Sequence, residues 1–258
     1  MILQHSSFKN PENPNQKIWR YVDLTKFLEL LNSKSLYFTR LDKFDDIFEG
    51  AVPLKTAQTR KIPKREVNQE VLINGEIITR KEFQEDELED YIEYQKKERE
   101  KFAVNCWHMN DYESAAMWKL YLKSNEGIAI QSNFTKLKEI LTKSRFQFFI
   151  GTVSYIDYEN DKLEFGNSFL PFVHKRKSFS HENELRAIIP IEAPNNIDNI
   201  DFRDGGWKIK IDLNELIENI YISPESPEWM TKLIADTCHK FGFDFNIINS
   251  RMNDKPIY

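Results

Sequence analysis

Trp19-Arg20-Tyr21-Val22-Asp23-Leu24-Thr25-Lys26-Phe27-Leu28-Glu29-Leu30-Leu31 is the stretch whose reading decides the fold. Trp19 to Val22 is rich in strand formers and reads as a short strand. Leu24, Phe27, Leu28 and Leu31 then fall at i, i+3, i+4 and i+7, the spacing of one helix face. Asp23 stands where an N-cap belongs. Leu36-Tyr37-Phe38 follows as a second strand.

Outward from this unit the elements are short. Strands are expected at Phe102 to Trp107, Gly127 to Gln131, Phe146 to Tyr158, Leu185 to Ile191, Trp207 to Ile211 and Phe245 to Ile248. Helices are expected at Ser114 to Leu122, around Leu137 to Leu141, and from Ser226-Pro227 to about Phe241. This order lacks the regular alternation of a parallel α/β fold. It predicts an α+β domain with mixed or mostly antiparallel sheets and short helices. Residues 1–18 read as a tail and 19–258 as a single domain. Residues 51–101 read as an insertion. Asn74-Gly75 lies between apolar pairs and signals a hairpin, Thr79 and Glu82 have capping-box spacing, and a charged helix follows.

The 258 residues include 34 aromatic ones (19 Phe, 10 Tyr, 5 Trp) but only 8 Gly. So little glycine excludes collagen-like and glycine-loop phosphate-cradling designs, and the apolar content excludes global disorder. The formal charge is -5, which gives no global attraction for nucleic acid or anionic lipid. Cys106 and Cys238 are far apart and form no CxxC pair, as in a reducing compartment. Met1 to Ile18 lacks the apolar core of a signal peptide, and no apolar run approaches the roughly 18 residues of a membrane span. A cytoplasmic protein with no membrane partner is expected.

Four segments together carry a family resemblance. They are Trp19-Arg20-Tyr21; Leu36-Tyr37-Phe38 leading to Phe44-Asp45-Asp46-Ile47-Phe48-Glu49; Cys106-Trp107 leading to Met117-Trp118-Lys119-Leu120-Tyr121; and His174-Lys175-Arg176-Lys177-Ser178-Phe179 leading to Glu182-Asn183-Glu184-Leu185-Arg186. In this order they resemble a bacterial family called domain of unknown function 2971. Gly127-Ile128-Ala129-Ile130 and Ile220-Tyr221-Ile222-Ser223-Pro224 extend the match. Where that family has Asn-Asp-Pro before Phe-Glu, this chain has Asp45-Asp46-Ile47. The carboxylate is kept and a rigid turn is lost.

Glu182-Asn183-Glu184-Leu185-Arg186 is the most informative site. Strand alternation puts Glu182, Glu184 and Arg186 on one face and Leu185, Ala187 and Ile189 in the core. The segment also resembles the Glu-x-Glu turn and strand of ADP-ribosyltransferases. That resemblance implies an ADP-ribosyltransferase-like arrangement that uses NAD as substrate. Glu184 would stabilise the oxocarbenium-like transition state and Glu182 would orient the acceptor. A fixed carboxylate suits that chemistry, because breaking the nicotinamide–ribose bond develops positive charge on the sugar. The alternative is a strand whose polar face simply carries a Glu–Arg pair.

Further candidates surround this one. Arg20, beside Tyr21, suits a phosphate through its bidentate fork, or is an ordinary surface arginine. Trp118 and Tyr121 are helix neighbours that could stack a nicotinamide, or belong to the core. Lys175, in the run His174 to Lys177, could receive a diphosphate, or sit in a solvated loop.

Three functions stay open. The first is an NAD-using ADP-ribosyltransferase or NAD glycohydrolase, acting on a protein or nucleic-acid acceptor, with residues 51–101 as a lid. The second is a metal-dependent nuclease or phosphoesterase with Asp45, Asp46, Glu49 and Glu184 around the ion. The third is a nucleotide-binding module without catalysis, in phage defence or stress response. No metal is expected for the first, and no closed His/Cys zinc set exists.

Overall fold

The computed structural model describes residues 1–59, 68–73, 76–81, 87–121, 125–164, 167, 169–191 and 205–257. The opening stretch folds as its pattern dictates. Strand β1 (Lys17–Asp23) runs into helix α1 (Leu24–Ser33), and the Asp23 side chain accepts the Lys26 N–H at 2.8 Å as N-cap. Phe27, Leu30 and Leu31 bury the apolar face. Lys34 closes the helix in the left-handed region and releases β2 (Ser35–Arg40).

The chain continues with α2 (Leu54–Thr59), the hairpin β3 (Asn68–Ile73) and β4 (Glu76–Lys81), α3 (Glu87–Glu100) and β5 (Phe102–Met109). Next come α4 (Ala115–Tyr121), β6 (Gly127–Asn133), α5 (Phe134–Lys143), β7 (Phe149–Thr152), β8 (Ser154–Ile156) and β9 (His174–Arg176). The 3-10 turn Lys177–Glu182 leads into β10 (Glu184–Pro190). The last elements are β11 (Gly206–Lys210), α6 (Leu213–Leu216), β12 (Asn219–Ile222), α7 (Trp229–Lys240) and β13 (Ile247–Asn249).

The fold is α+β. The main sheet has the order β11-β2-β5-β1-β6-β12-β13, with β10 and β7 joined to it through β5. Its pairs are antiparallel except β12–β13. Ala103, Trp107, Leu185, Ala187 and Ile189 face one core with α1, α5 and α7, as alternation in β10 requires. On the other face Val104 and Ile188 pack with Phe172, while Trp19 and Tyr21 pack with Met117 and Trp118.

One departure from a regular sheet positions the site. Along one edge β5 pairs with β10 from Phe102 to His108. Along its other edge it changes partner. β2 holds Ala103 and Val104, while β1 holds His108 and Met109. Neither register reaches Asn105, Cys106 or Trp107, so β1 and β2 splay apart there. The Asn105 side chain stitches the gap, donating to the Tyr37 carbonyl at 2.9 Å and accepting from Trp107 Nε1 at 2.6 Å.

Some expectations are corrected. Residues 1–18 are not a free tail. Leu3 N–H donates to the Phe148 carbonyl at 2.7 Å, the buried Phe8 ring stacks on Phe149 at 4.8 Å, and Lys17 and Ile18 already belong to β1. A few scattered apolar residues show no period in sequence, yet each finds a partner in space. Phe146 to Tyr158 is not one strand. It breaks at Val153, whose N–H donates to the Glu184 carbonyl at 2.9 Å, and β8 leaves to pair parallel with β9. Both halves share the same composition, so no local signal marks the break. The last helix starts at Trp229, because Ser226 N–H turns back to the Ser223 carbonyl. Thr79 stands in β4 opposite Glu70 rather than at a helix start, and Asn74, Gly75, Glu82 and Leu122 lie outside the described residues. Among the described residues no helix is long and apolar enough to cross a membrane.

Candidate functional site

The splay of β1 from β2 opens a cleft of about 1060 Å³, lined by Arg20, Tyr21, Tyr121, Lys175, Glu182 and Glu184 among others. Asn183 prepares it. Its backbone is left-handed (φ 38°) and its side chain donates to the Met109 carbonyl at 2.6 Å. A polar side chain able to bond locally makes this conformation accessible. The turn brings Glu182, at the end of the 3-10 segment, next to Glu184, at the start of β10.

Both carboxyl groups meet Lys175, which β9 delivers from below. Its ammonium lies 2.5 Å from Glu182, 2.8 Å from Glu184 and 3.0 Å from Glu49. Arg186, 0% exposed, completes the network. Nε donates to Glu184 Oε2 at 2.7 Å, Nη1 to the Phe172 carbonyl at 3.0 Å, and Nη2 reaches Glu49 at 2.9 Å. Three carboxyl groups therefore share two cations in a buried cluster. Full ionisation would leave one uncompensated negative charge, which burial penalises heavily.

The cluster answers by dividing the carboxyl groups. Burial and the hydrogen bond to Glu184 push Glu182 up to about 8, so it keeps its proton at neutral pH. Burial also opposes ionisation of Glu184. Against that, the Arg186 guanidinium, the hydrogen bond from Glu182 and the Lys175 ammonium hold it well below the usual carboxylate range. One acid and one fixed carboxylate thus stand side by side at the cleft. The Tyr155 hydroxyl accepts the Glu184 N–H at 2.8 Å and fixes the strand start.

Arg20 occupies the splay itself. Its guanidinium has one protein hydrogen bond, from Nη2 to the Tyr37 carbonyl at 3.4 Å, and no carboxylate among the described residues. Burial lowers its affinity for its proton, and only Cys106 and Tyr121 offset that, neither of them a carboxylate. A half-buried cation without an acidic partner, at the wall of a cleft, is suited to an anion supplied from outside.

The aromatic residues divide. Tyr21, whose hydroxyl accepts the Ser114 N–H at 2.8 Å, and Tyr121 both line the cleft. Trp118 does not. It is 3% exposed, packs edge-on behind Tyr21 at 4.9 Å and donates Nε1 to Glu113 at 3.0 Å. Its expected stacking role is corrected: it supports the wall from inside the core. Arg186 is corrected likewise. It contacts Glu184 and Glu49 from behind the cleft wall and is not among the residues that line the cleft.

The basic run does not offer a free phosphate site. Lys175 is taken by three carboxyl groups. Arg176 pairs with Asp46 at 2.9 Å and lies over the Phe48 ring at 4.5 Å, and Lys177 pairs with Asp161 at 3.6 Å. Three of the four carboxylates offered to a metal are engaged in the same way. Asp46 holds Arg176, while Glu49 and Glu184 hold Lys175 and Arg186. Among the described residues no three His, Cys, Asp or Glu side chains group so as to hold a metal ion.

Sequence reasoning gave Glu49 to a metal and counted Phe179 among the rings of the four segments without a role of its own; Phe179 lines the cleft with the Lys175 ammonium 4.7 Å over its ring. Their order in the chain was visible, since both lie inside the four segments, but their convergence was not.

No family model matches the chain, and no curated protein matches it. Among solved structures, "Thermus sp. 2.9 DarT in complex with NAD+" aligns with 94% of this chain and 98% of that chain, at 8% identity and a TM-score of 0.41. Similarity at that level carries no argument about ligand or activity here.

Proposed function

We propose that the cleft binds an anionic nucleotide and that the protein is an NAD-using enzyme, an ADP-ribosyltransferase or NAD glycohydrolase. The observation that carries this reading is one cleft lined both by the unpaired guanidinium of Arg20 and by the proton-divided pair Glu182–Glu184. Arg20 anchors a phosphate of the substrate. Tyr21, Tyr121 and Phe179 supply apolar surface for its rings. Breaking the nicotinamide–ribose bond sends the bonding electron pair out with nicotinamide and leaves positive charge on the sugar. Glu184, ionised and clamped on Arg186 and Lys175, stabilises that charge without reorganising. Glu182, holding its proton, hydrogen-bonds the ligand or acceptor as a neutral group. The resemblance of Glu182-Asn183-Glu184 to the Glu-x-Glu segment of ADP-ribosyltransferases points the same way.

Incubation with NAD and measurement of nicotinamide release tests this. Release by the wild type and its loss in Glu184→Gln, with the variant still folded at the assay temperature, is the expected result. Release that is equal in Glu184→Gln removes the residue from the chemistry.

A second reading is a nucleotide-binding module without turnover. Both oxygens of Glu184 are already engaged, Oε1 by Lys175 and Oε2 by Arg186, which favours it. ADP-ribose binding without any nicotinamide release would select this reading.

A further inference from the structure

His108 Nε2 is a buried acceptor that no donor among the described residues reaches. The residue sits on β5 directly between Trp19 of β1 and Glu184 of β10, at the last rung before the splay. Opposed residues of an antiparallel pair share a face, so the ring lies on the same side as the Glu184 carboxylate, and it lines the cleft. It is 6% exposed and meets the Tyr21 ring edge-on at 6.3 Å.

The tautomer follows from its one hydrogen bond. Nδ1 lies 2.6 Å from the Glu182 carbonyl oxygen. A carbonyl only accepts, so Nδ1 carries the hydrogen. Burial disfavours the imidazolium. The neutral ring then presents a bare lone pair at Nε2. That atom has no hydrogen-bond partner among the described residues and is withheld from bulk water. Buried polar atoms are almost always paired, and an exception marks strain, a chemical role or a partner from outside the chain.

Resting on the nucleotide reading, we propose that His108 Nε2 accepts a hydrogen bond from a neutral O–H or N–H donor of the bound ligands. This gives the cleft a specificity that Arg20 and Glu184 do not supply. The lone pair rejects a carboxylate or phosphate and admits a sugar hydroxyl or the nucleophile that attacks the sugar. In the second case the nucleophile's O–H bond breaks as its bond to the sugar carbon forms, and the proton passes to Nε2. The nicotinamide bond breaks in the same process, its electron pair leaving with nicotinamide. The imidazolium so formed keeps its Nδ1–H bond to the Glu182 carbonyl.

Nitrogen-15 histidine spectra of the full chain, titrated with ADP-ribose, test this. The chain has five histidines, and His108→Gln assigns the signal. If ADP-ribose shifts Nε2 of His108 toward the hydrogen-bonded position, a sugar hydroxyl is the donor. A His108→Phe variant then binds ADP-ribose about threefold to tenfold more weakly, the size of one neutral hydrogen bond. If ADP-ribose binds and leaves Nε2 unmoved, while His108→Gln slows NAD turnover about 100-fold or more, the nucleophile is the donor. ADP-ribose binding with Nε2 unmoved, and turnover absent or equal in His108→Gln, overturns the inference and leaves the nucleotide site standing. Failure of both ADP-ribose and NAD to bind overturns the nucleotide reading and this inference together. The shift itself is read on the wild type, and His108→Gln serves there only to assign it.

Discussion

Arg186 donates Nε to Glu184 Oε2 at 2.7 Å, with the guanidinium wholly inside the protein and the carboxylate at the cleft wall. The two residues lie two apart on β10, so alternation sends them to the same face. The arrangement holds a negative charge at the edge of a buried cluster and keeps it from rotating.

Removing the cation should therefore damage folding before function. In Arg186→Met, Glu49 and Glu184 keep their burial and lose a partner. Urea unfolding should show a loss of about 3–5 kcal/mol, the cost of breaking a buried pair from one side. Glu184→Gln should cost less, since Arg186 keeps Glu49 and the Phe172 carbonyl.

Glu182 predicts a pH dependence. Its folded pKa is raised, to about 8. The folded state therefore binds its proton more tightly than the unfolded chain does. This contribution is fully present below the ordinary carboxylate pKa, and it is lost as pH rises through about 8. Wild type minus Glu182→Gln, by denaturant unfolding from pH 5 to pH 9, should fall by on the order of a few kcal/mol. A flat difference would mean that Glu182 is ionised throughout.

Arg20 should behave in the opposite sense to Arg186. Arg20→Met removes a charge that no carboxylate among the described residues pairs with, so the melting temperature should hold or rise. ADP-ribose affinity should drop about tenfold to 100-fold, the worth of a charge-assisted hydrogen bond of about 1.5–3 kcal/mol. Calorimetry at two salt concentrations should also show a weaker salt dependence in the variant.

Trp118 and Tyr121 share one helix and should separate cleanly. Trp118→Ala should cost about 3–5 kcal/mol of stability as a core truncation and leave the ADP-ribose affinity of the folded protein little changed. Tyr121, 46% exposed, should tolerate alanine within about 0.5 kcal/mol and lose affinity instead. Paired unfolding and binding measurements on both variants check this.

Much of the fold was legible because its signals are local. Asp23 caps α1, the i, i+3, i+4 and i+7 pattern buries it, and β10 alternates Leu185, Ala187 and Ile189 into one core. The misread segments lack such signals. Phe8 is an isolated ring until Phe149 comes beside it, and the break at Val153 depends on where β10 ends. The site was legible in part. Glu184, Glu182, Arg20, Tyr21 and Tyr121 come to one cleft, while Trp118 and Arg186 lie behind its wall. An aromatic ring at helical spacing has the same sequence signature whether it faces ligand or core.

The sequence by itself determined the strand–helix–strand opening, the α+β class and the placing of Glu184 and Arg186 on one face of one strand. Those follow from periodicity and capping, which act over a few residues. Only the tertiary structure decided which groups carry charge and which face the cleft. Burial beside Glu184 keeps the proton on Glu182, while Arg186 and Lys175, the latter delivered by β9, hold Glu184 ionised. The change of partner along β5, from β2 to β1, decides where the sheet opens and puts Arg20 at the cleft wall. Burial and charge compensation act through space, between residues more than 100 positions apart such as Glu49 and Arg186, and no local pattern encodes them.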